Sequence, residues 1–342
     1  MKYKFFTSSK KAWRGMYQDI TKATQSIFLE MYIFEDNTEL DFVTLFIQKA
    51  RSGVKVKLLF DKFGSYGLSD KSIKLLQKEG IEIYFFSQFW HRVHRKILII
   101  DGRIAFIGGV NIYQHAASAL DLMVRVEGKI AYQAARIFAK DYEIVGGKDA
   151  RVLTFRRKKS FKKIKAWFIE HSPFRKKFAL KQAYVKEIGN ANKTVVIITP
   201  YFAPNRTFIA LLHQAILRGV EVKILIPQKT EHIFLDKCNY FYLSKIASLG
   251  VQCFMLPQRN HAKVLLIDDN LALVGSQNAD FLSMELNAEA GIMITDTPTV
   301  QKIHVIFNRW QSNAVLFDNR VFVISRIDRI LAYILRFFIS LL

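Results

Sequence analysis

The sequence predicts an α/β protein of two similar lobes, each a mixed β-sheet flanked by helices, packed together as a pseudo-twofold dimer. Three observations predict this. The chain has 342 residues, 51% of them hydrophobic, enough to bury a sizeable core. It repeats itself once, in the same order, at offsets of about 166 to 170 residues. Within each half, short β-branched and aromatic runs alternate with helical stretches, the pattern of a sheet covered by helices.

The repeat can be followed element by element. Residues 26–34 (SIFLEMYIF) correspond to 194–202 (TVVIITPYF), each a run suited to a buried strand. After a helical stretch, 52–60 (SGVKVKLLF) matches 218–226 (RGVEVKILI), and 79–85 (EGIEIYF) matches 249–255 (LGVQCFM). The repeat closes with 94–111 (HRKILIIDGRIAFIGGVN) against 261–278 (HAKVLLIDDNLALVGSQN). A first lobe is therefore expected over 1–150 and a second over 182–318. Between them, 151–181 carries twelve Lys or Arg and one acid, Glu170, interleaved with aromatics such as Phe155, Trp167 and Phe174. That composition predicts a basic, partly amphipathic connector. In the last segment, 319–342, residues 327–342 (IDRILAYILRFFISLL) confine Arg329, Tyr333, Arg336 and Ser340 to one narrow polar stripe. As a helix these residues reach about 24 Å, short of the roughly 30 Å hydrocarbon core, so the segment is expected to lie in a membrane interface.

Composition bounds the partners. Lys and Arg outnumber Asp and Glu by 51 to 29, a formal charge of +22, which calls for an anionic partner such as nucleic acid or an acidic membrane. Cys238 and Cys253 offer neither a disulfide framework nor metal-ligand spacing, and are expected to be core thiols in a reducing compartment. The N-terminus has positive charge without the apolar run of a secretory signal, and no stretch reaches the roughly 20 apolar residues of a spanning helix. The protein is therefore expected to meet the cell membrane from its cytoplasmic face, as a peripheral or monotopic protein.

The chemistry lies in the repeated His-x-Lys-x4-Asp motif: His94, Lys96 and Asp101, then His261, Lys263 and Asp268. The spacing fits a β-hairpin, and with a period of two each His projects beside its Lys. Asp101 and Asp268 complete the motif, but at the hairpin ends a turn-forming, structural role is favoured for them. Downstream, Gly108-Gly109 and Gly275-Ser276 remove bulk where backbone would approach a ligand, and Asn111 and Asn278 offer hydrogen bonds there. Asp121 and Glu289 each open a strand-like run at matching places in the two repeats. His91 and His94 lie three apart, but with no third ligand nearby no metal site is expected.

This double motif resembles the phospholipase D superfamily over almost the whole chain. The resemblance implies one active site at the lobe interface, where one His attacks phosphorus to give a phosphohistidine and the other acts as general acid and base. It implies His94 as the nucleophile and His261 as the acid/base. The two Lys and two Asn would stabilise the charged phosphoryl oxygens, with no metal and no cofactor. Asp121 and Glu289 would hold the far ring nitrogens of the catalytic His residues. Segments such as FLEMYIFED (28–36), LLFDKFGS (58–65) and TPYFAPN (199–205) are similar to bacterial cardiolipin synthases of the short type without N-terminal transmembrane helices. By that resemblance Tyr32, Asp61 and Tyr201 shape the site, with Gly109 and Ser276 beside the substrate. The expected reaction joins two phosphatidylglycerols into cardiolipin. The alternatives are a phospholipase D-type hydrolase, which sequence does not separate from it, and a nuclease of the same superfamily. The apolar C-terminus disfavours nucleic acid as a partner.

Overall fold

In a computed structural model that describes residues 3–86, 92–157, 165–318 and 321–322, the chain forms two large mixed sheets. The first contains β1 (Tyr3–Ser8), β2 (Ser26–Met31), β3 (Lys55–Asp61), β4 (Glu82–Phe86), β5 (Lys96–Ile100), β6 (Ile104–Gly108) and β7 (Leu120–Glu127), in the order β1-β7-β6-β5-β2-β3-β4. The second contains β8 (Ala166–Ser172), β9 (Lys177–Phe178), β10 (Thr194–Ile198), β12 (Glu221–Pro227), β13 (Gln252–Leu256), β14 (Lys263–Ile267), β15 (Leu271–Gly275), β17 (Glu289–Ile294) and β18 (Val315–Leu316). A short pair, β11 (Phe202–Ala203) and β16 (Ala279–Asp280), stands apart. The second sheet runs β18-β13-β12-β10-β14-β15-β17-β8-β9, so β8-β17-β15-β14-β10-β12-β13 repeats the order of the first.

One strand of this repeat was not expected. β8 falls in the stretch 151–181 predicted as connector, yet it pairs with β17 as β1 pairs with β7. Charge counted over the whole stretch concealed it, because residues 166–172 (AWFIEHS) hold no Lys or Arg. The second lobe thus begins at β8 rather than at residue 182. Residues 158–164 of the connector, His91, and the expected C-terminal helix at 327–342 lie outside the described residues.

Strand periodicity sorts the core into layers. Along β5, Ile97 and Ile99 enter a central core while Leu98 and Ile100 enter an outer one. The same alternation in β14 sends Val264 and Leu266 inward and Leu265 and Ile267 outward. The central core joins the inner faces of both sheets with two equivalent helices, α4 (Lys129–Ile144) and α10 (Thr297–Gln311). Helices α1 (Ser9–Thr21), α2 (Phe42–Arg51) and α3 (Asp70–Lys78) cover the outside of the first sheet. Between α4 and the second lobe lies the short α5 (Ala150–Leu153). Helices α6 (Ala179–Gly189), α7 (Arg206–Leu217) and α8 (Ile233–Ala247) cover the second sheet, and the short α9 (Phe281–Glu285) follows β16. Cys238 and Cys253 are both buried free thiols. No described helix is long and apolar enough to cross a membrane.

Candidate active site

The two lobes are stitched at the motifs themselves. Val93 bridges to Ala288 and Asn260 to Leu120, each joining the residue before a motif His to the residue before an acid of the other lobe. The His94 amide donates to the Ala288 carbonyl at 2.9 Å, and the His261 amide to the Leu120 carbonyl at 2.7 Å. Backbone pairing thus brings Glu289 beside His94 and Asp121 beside His261.

Side chains complete the exchange. His94 Nδ1 lies 2.8 Å from Glu289 Oε1, and His261 Nδ1 lies 3.1 Å from both Asp121 Oδ2 and the Gly109 carbonyl oxygen. A carbonyl oxygen only accepts, so His261 Nδ1 carries the proton and Nε2 is left with its lone pair. Each imidazole is therefore held by an acid of the opposite lobe. Lys96 Nζ donates to the His94 carbonyl at 2.6 Å, and Lys263 Nζ donates to the His261 carbonyl. Tyr32 meets His94 edge-on with ring centroids 4.6 Å apart, and Tyr201 meets His261 edge-on at 6.5 Å. The ammonium of Lys96 also stands over the Tyr32 ring, 4.9 Å from its centroid. Asp61 accepts from the Val93 amide at 2.9 Å and from the Phe63 and Gly64 amides at 3.0 Å, which ties the loop after β3 to the first motif.

Burial governs the electrostatics. Desolvation, reinforced by Lys96 and Lys263, holds the His94 imidazole well below its ordinary value, and burial with Lys263 pulls His261 down to about 4. Burial likewise depresses both ammonium groups, Lys96 far below its usual range and Lys263 to about 7. Glu289 is pushed up to about 7 by burial against the opposing pull of Lys96, so burial drives the His94–Glu289 pair toward its uncharged forms. Burial raises the Tyr32 phenol to about 12. Burial thus drives the two imidazoles and the two Lys side chains toward their uncharged forms, and an anionic phosphodiester placed among them would favour the charged forms again.

Several expected site residues serve other purposes. Asp101 and Asp268 do not reach the imidazoles: a five-residue strand, roughly 17 Å, separates each from its His. Asp101 instead accepts the amides of Thr24, Gln25 and Ser26 at 2.8 to 3.3 Å, and Asp268 those of Asn192, Lys193 and Thr194 at 2.8 to 3.3 Å. Both sit at positive φ in the hairpin turn, a conformation Asp tolerates. They belong with the turn, not the catalytic set. Gly109 makes room for the other lobe rather than for a ligand: a Cβ there would stand 2.3 Å from Asp121 Oδ1 and 2.9 Å from the His261 carbonyl oxygen. Its counterpart Ser276 gives its hydroxyl to Glu289 Oε2, which the longer acid brings within reach. Asn111 is buried and its side-chain oxygen accepts from the Ile33 amide at 3.2 Å, which holds the chain beside Tyr32. Asn278 is also buried and sits next to β16.

Arg95, between His94 and Lys96, was missed. Its side chain is fully buried and points to the inner face, where Nε donates to the Glu289 carbonyl at 3.1 Å and Nη2 to the His171 carbonyl at 3.0 Å and to Ser172. Nη1 binds Glu30 at 3.0 Å and Asp141. One guanidinium therefore joins β2, α4, β8 and β17 directly behind His94. Burial and the charge of Asp141 push Glu30 up to about 8. Sequence held one faint signal, an Arg whose parity in a strand directs it inward.

The family described as "Cardiolipin synthase, PLD-like domain" matches the chain twice, over residues 16–142 and 184–310. The probable cardiolipin synthase YwiE of Bacillus subtilis is 28% identical over 326 residues, 89% of this chain and 65% of that protein. Cardiolipin synthase 1 of Bacillus anthracis is 29% identical over 327 residues, 88% of this chain and 64% of that protein. The chain therefore spans slightly less than two thirds of the length of these relatives. Among solved structures, phosphatidylserine synthase of Haemophilus influenzae superposes with a TM-score of 0.77 at 14% identity, covering 99% of this chain and 94% of that one. Polyphosphate kinase of Porphyromonas gingivalis gives 0.65 at 13% identity, covering 98% of this chain and 53% of that one. At such identities these structures bear on the fold alone.

Proposed function

The chain belongs to the cardiolipin synthase, PLD-like domain family, and from that premise we propose that it is a phosphatidyltransferase that makes cardiolipin from two phosphatidylglycerols. The observation that carries this reading is the crossed pair of imidazoles, each fixed at Nδ1 by an acid of the opposite lobe, with a buried Lys beside each.

His94 Nε2 attacks the phosphorus of the first phosphatidylglycerol and forms a phosphorus–nitrogen bond as the bond to glycerol breaks. The departing glycerol oxygen takes a proton from His261. Substrate binding favours that proton, because the phosphodiester's negative charge opposes the burial, and the pull of Lys263 and Lys96, that together depress His261. His261, now neutral, takes the proton of the second phosphatidylglycerol's hydroxyl. That oxygen attacks phosphorus and releases His94. Lys96 and Lys263 meet the charge on the phosphoryl oxygens, with Asn111 holding the Ile33 backbone beside Tyr32. Asp121 and Glu289 keep each ring in one tautomer and orientation throughout.

The proposed setting is the cytoplasmic face of an anionic membrane, reached peripherally. The formal charge of +22 and the amphipathic pattern of 327–342 support it. Labelled phosphatidylglycerol vesicles test the reaction: cardiolipin and glycerol should appear together in equal amounts, and His94→Ala and His261→Ala should each abolish them. Phosphatidic acid in place of cardiolipin would establish the hydrolase instead.

A further inference from the structure

The pseudo-twofold axis relates two places behind the site that are filled differently. Behind His94, Arg95 occupies the space between β8 and α4, and Arg175 meets Asp141 at 2.9 Å beside it. The partners of these residues in the other half follow from strand register and from the matched repeats. Ser8 pairs with Leu120, just before Asp121, as Ser172 follows His171, the partner of Glu289. Thr7, Ser8 and Lys11 therefore correspond to His171, Ser172 and Arg175. Counting on from the matched acids Asp121 and Glu289 along the equivalent helices α4 and α10 sets Arg309 and Trp310 opposite Asp141 and Tyr142. Arg95 itself becomes Ala262.

Where the first half holds the guanidinium, the second half holds a cavity of about 600 Å³, lined by Thr7, Ser8, Lys11, Leu120, Arg309 and Trp310 among others. That volume lies within the roughly 300–1,000 Å³ of small-molecule sites. The lining supplies two cations, one from each lobe, and no acid. Leu256, Pro257, Val305 and Ile306 add an apolar wall, open to solvent at Val305, which is 68% exposed. The counterpart cluster balances its Arg residues with Asp141 and Glu170, whereas among the described residues no acid lines the cavity beside Lys11 and Arg309.

We propose that this cavity is a second lipid site, separate from the phosphohistidine centre. It takes an anionic phospholipid with its phosphate between Lys11 and Arg309 and part of its chain on the apolar wall. The choice of a phospholipid as ligand rests on the proposed function. The site is placed to act on one catalytic half. Leu120 lines the cavity, its carbonyl holds the His261 amide, its own amide donates to the Arg259 carbonyl at 2.9 Å, and its neighbour Asp121 orients the His261 ring. Occupancy therefore bears on His261 and not on His94.

Calorimetric titration of the full-length His94→Ala chain with monomeric dihexanoyl phosphatidylglycerol tests this, since that chain does not turn the lipid over. Two sites per chain are expected. Lys11→Glu combined with Arg309→Glu, both exposed positions, should remove one site and leave the other. Ile306→Trp, which fills the wall without altering charge, should weaken that same site at least tenfold. Inorganic phosphate at the same concentration should leave it open. Two undiminished sites in the double charge variant would overturn the proposal, as would phosphate binding there as tightly as the lipid. A Lys11-dependent site without one dependent on Lys96 and Lys263 would support the cavity and count against the proposed function.

Discussion

At the scale of residues, burial strips solvent from the His and Lys side chains of both motifs, and their titration should show it. The Lys263 ammonium, brought down to about 7 by burial, is charged in the free protein below that pH and neutral above it. Measured on soluble short-chain phosphatidylglycerol, kcat/KM should therefore fall as pH rises through about 7, while the corresponding limb of kcat should lie higher, because bound phosphate favours the ammonium. A kcat/KM flat to pH 9 would contradict this. Arg95 acts behind the same groups. Arg95→Met leaves Glu30 buried without its ion-pair partner and Asp141 with Arg175 alone, and should cost about 3–5 kcal/mol in urea unfolding. Lys at this position should not restore the loss, since it lacks the planar fork that reaches β8 and β17 together. The His and Lys residues were legible in the sequence because identical spacing recurred. Arg95 was not, because the middle residue of His-x-Lys looks arbitrary until the strand's inner face is known.

At the scale of elements, the hairpins carry the motifs and the bridges at Val93 and Asn260 cross them between lobes. Asp101 and Asp268 brace the far ends of those hairpins. Asp101→Ala should remove about 1–3 kcal/mol of stability by stranding the amides of Thr24 to Ser26, with kcat unchanged at temperatures where the chain remains folded. Loss of turnover in a folded Asp101→Ala chain would return this residue to the chemistry. Strand alternation and turn chemistry made the hairpins readable. β8 escaped because twelve cations in residues 151–181 dominated a window whose middle is an uncharged strand start. The close fit of Gly109 against Asp121 escaped too, since contacts between lobes leave no local pattern.

At the scale of the whole molecule, two copies of one fold give a single site that neither completes alone, because each imidazole needs an acid from the other. The formal charge of +22 should bring the chain to anionic vesicles through screened attraction. Sedimentation with such vesicles should therefore weaken as salt rises past the roughly 0.1 M at which the screening length is about 10 Å. Binding indifferent to salt would assign the contact to apolar burial. The duplication made this architecture legible, whereas which lobe supplies which partner emerged only from the backbone bridges. The most direct test of the composite site uses a phosphatidyl ester of p-nitrophenol, whose departure needs no general acid. His261→Ala lacks the base that resolves the intermediate, so it should release about one p-nitrophenol per chain in a burst and then stall. Mass spectrometry after an alkaline quench should find the phosphatidyl group on His94, and His94→Ala should give no burst. A burst from His94→Ala, or a phosphatidyl group on His261, would contradict the assignment of nucleophile and acid/base across the two lobes.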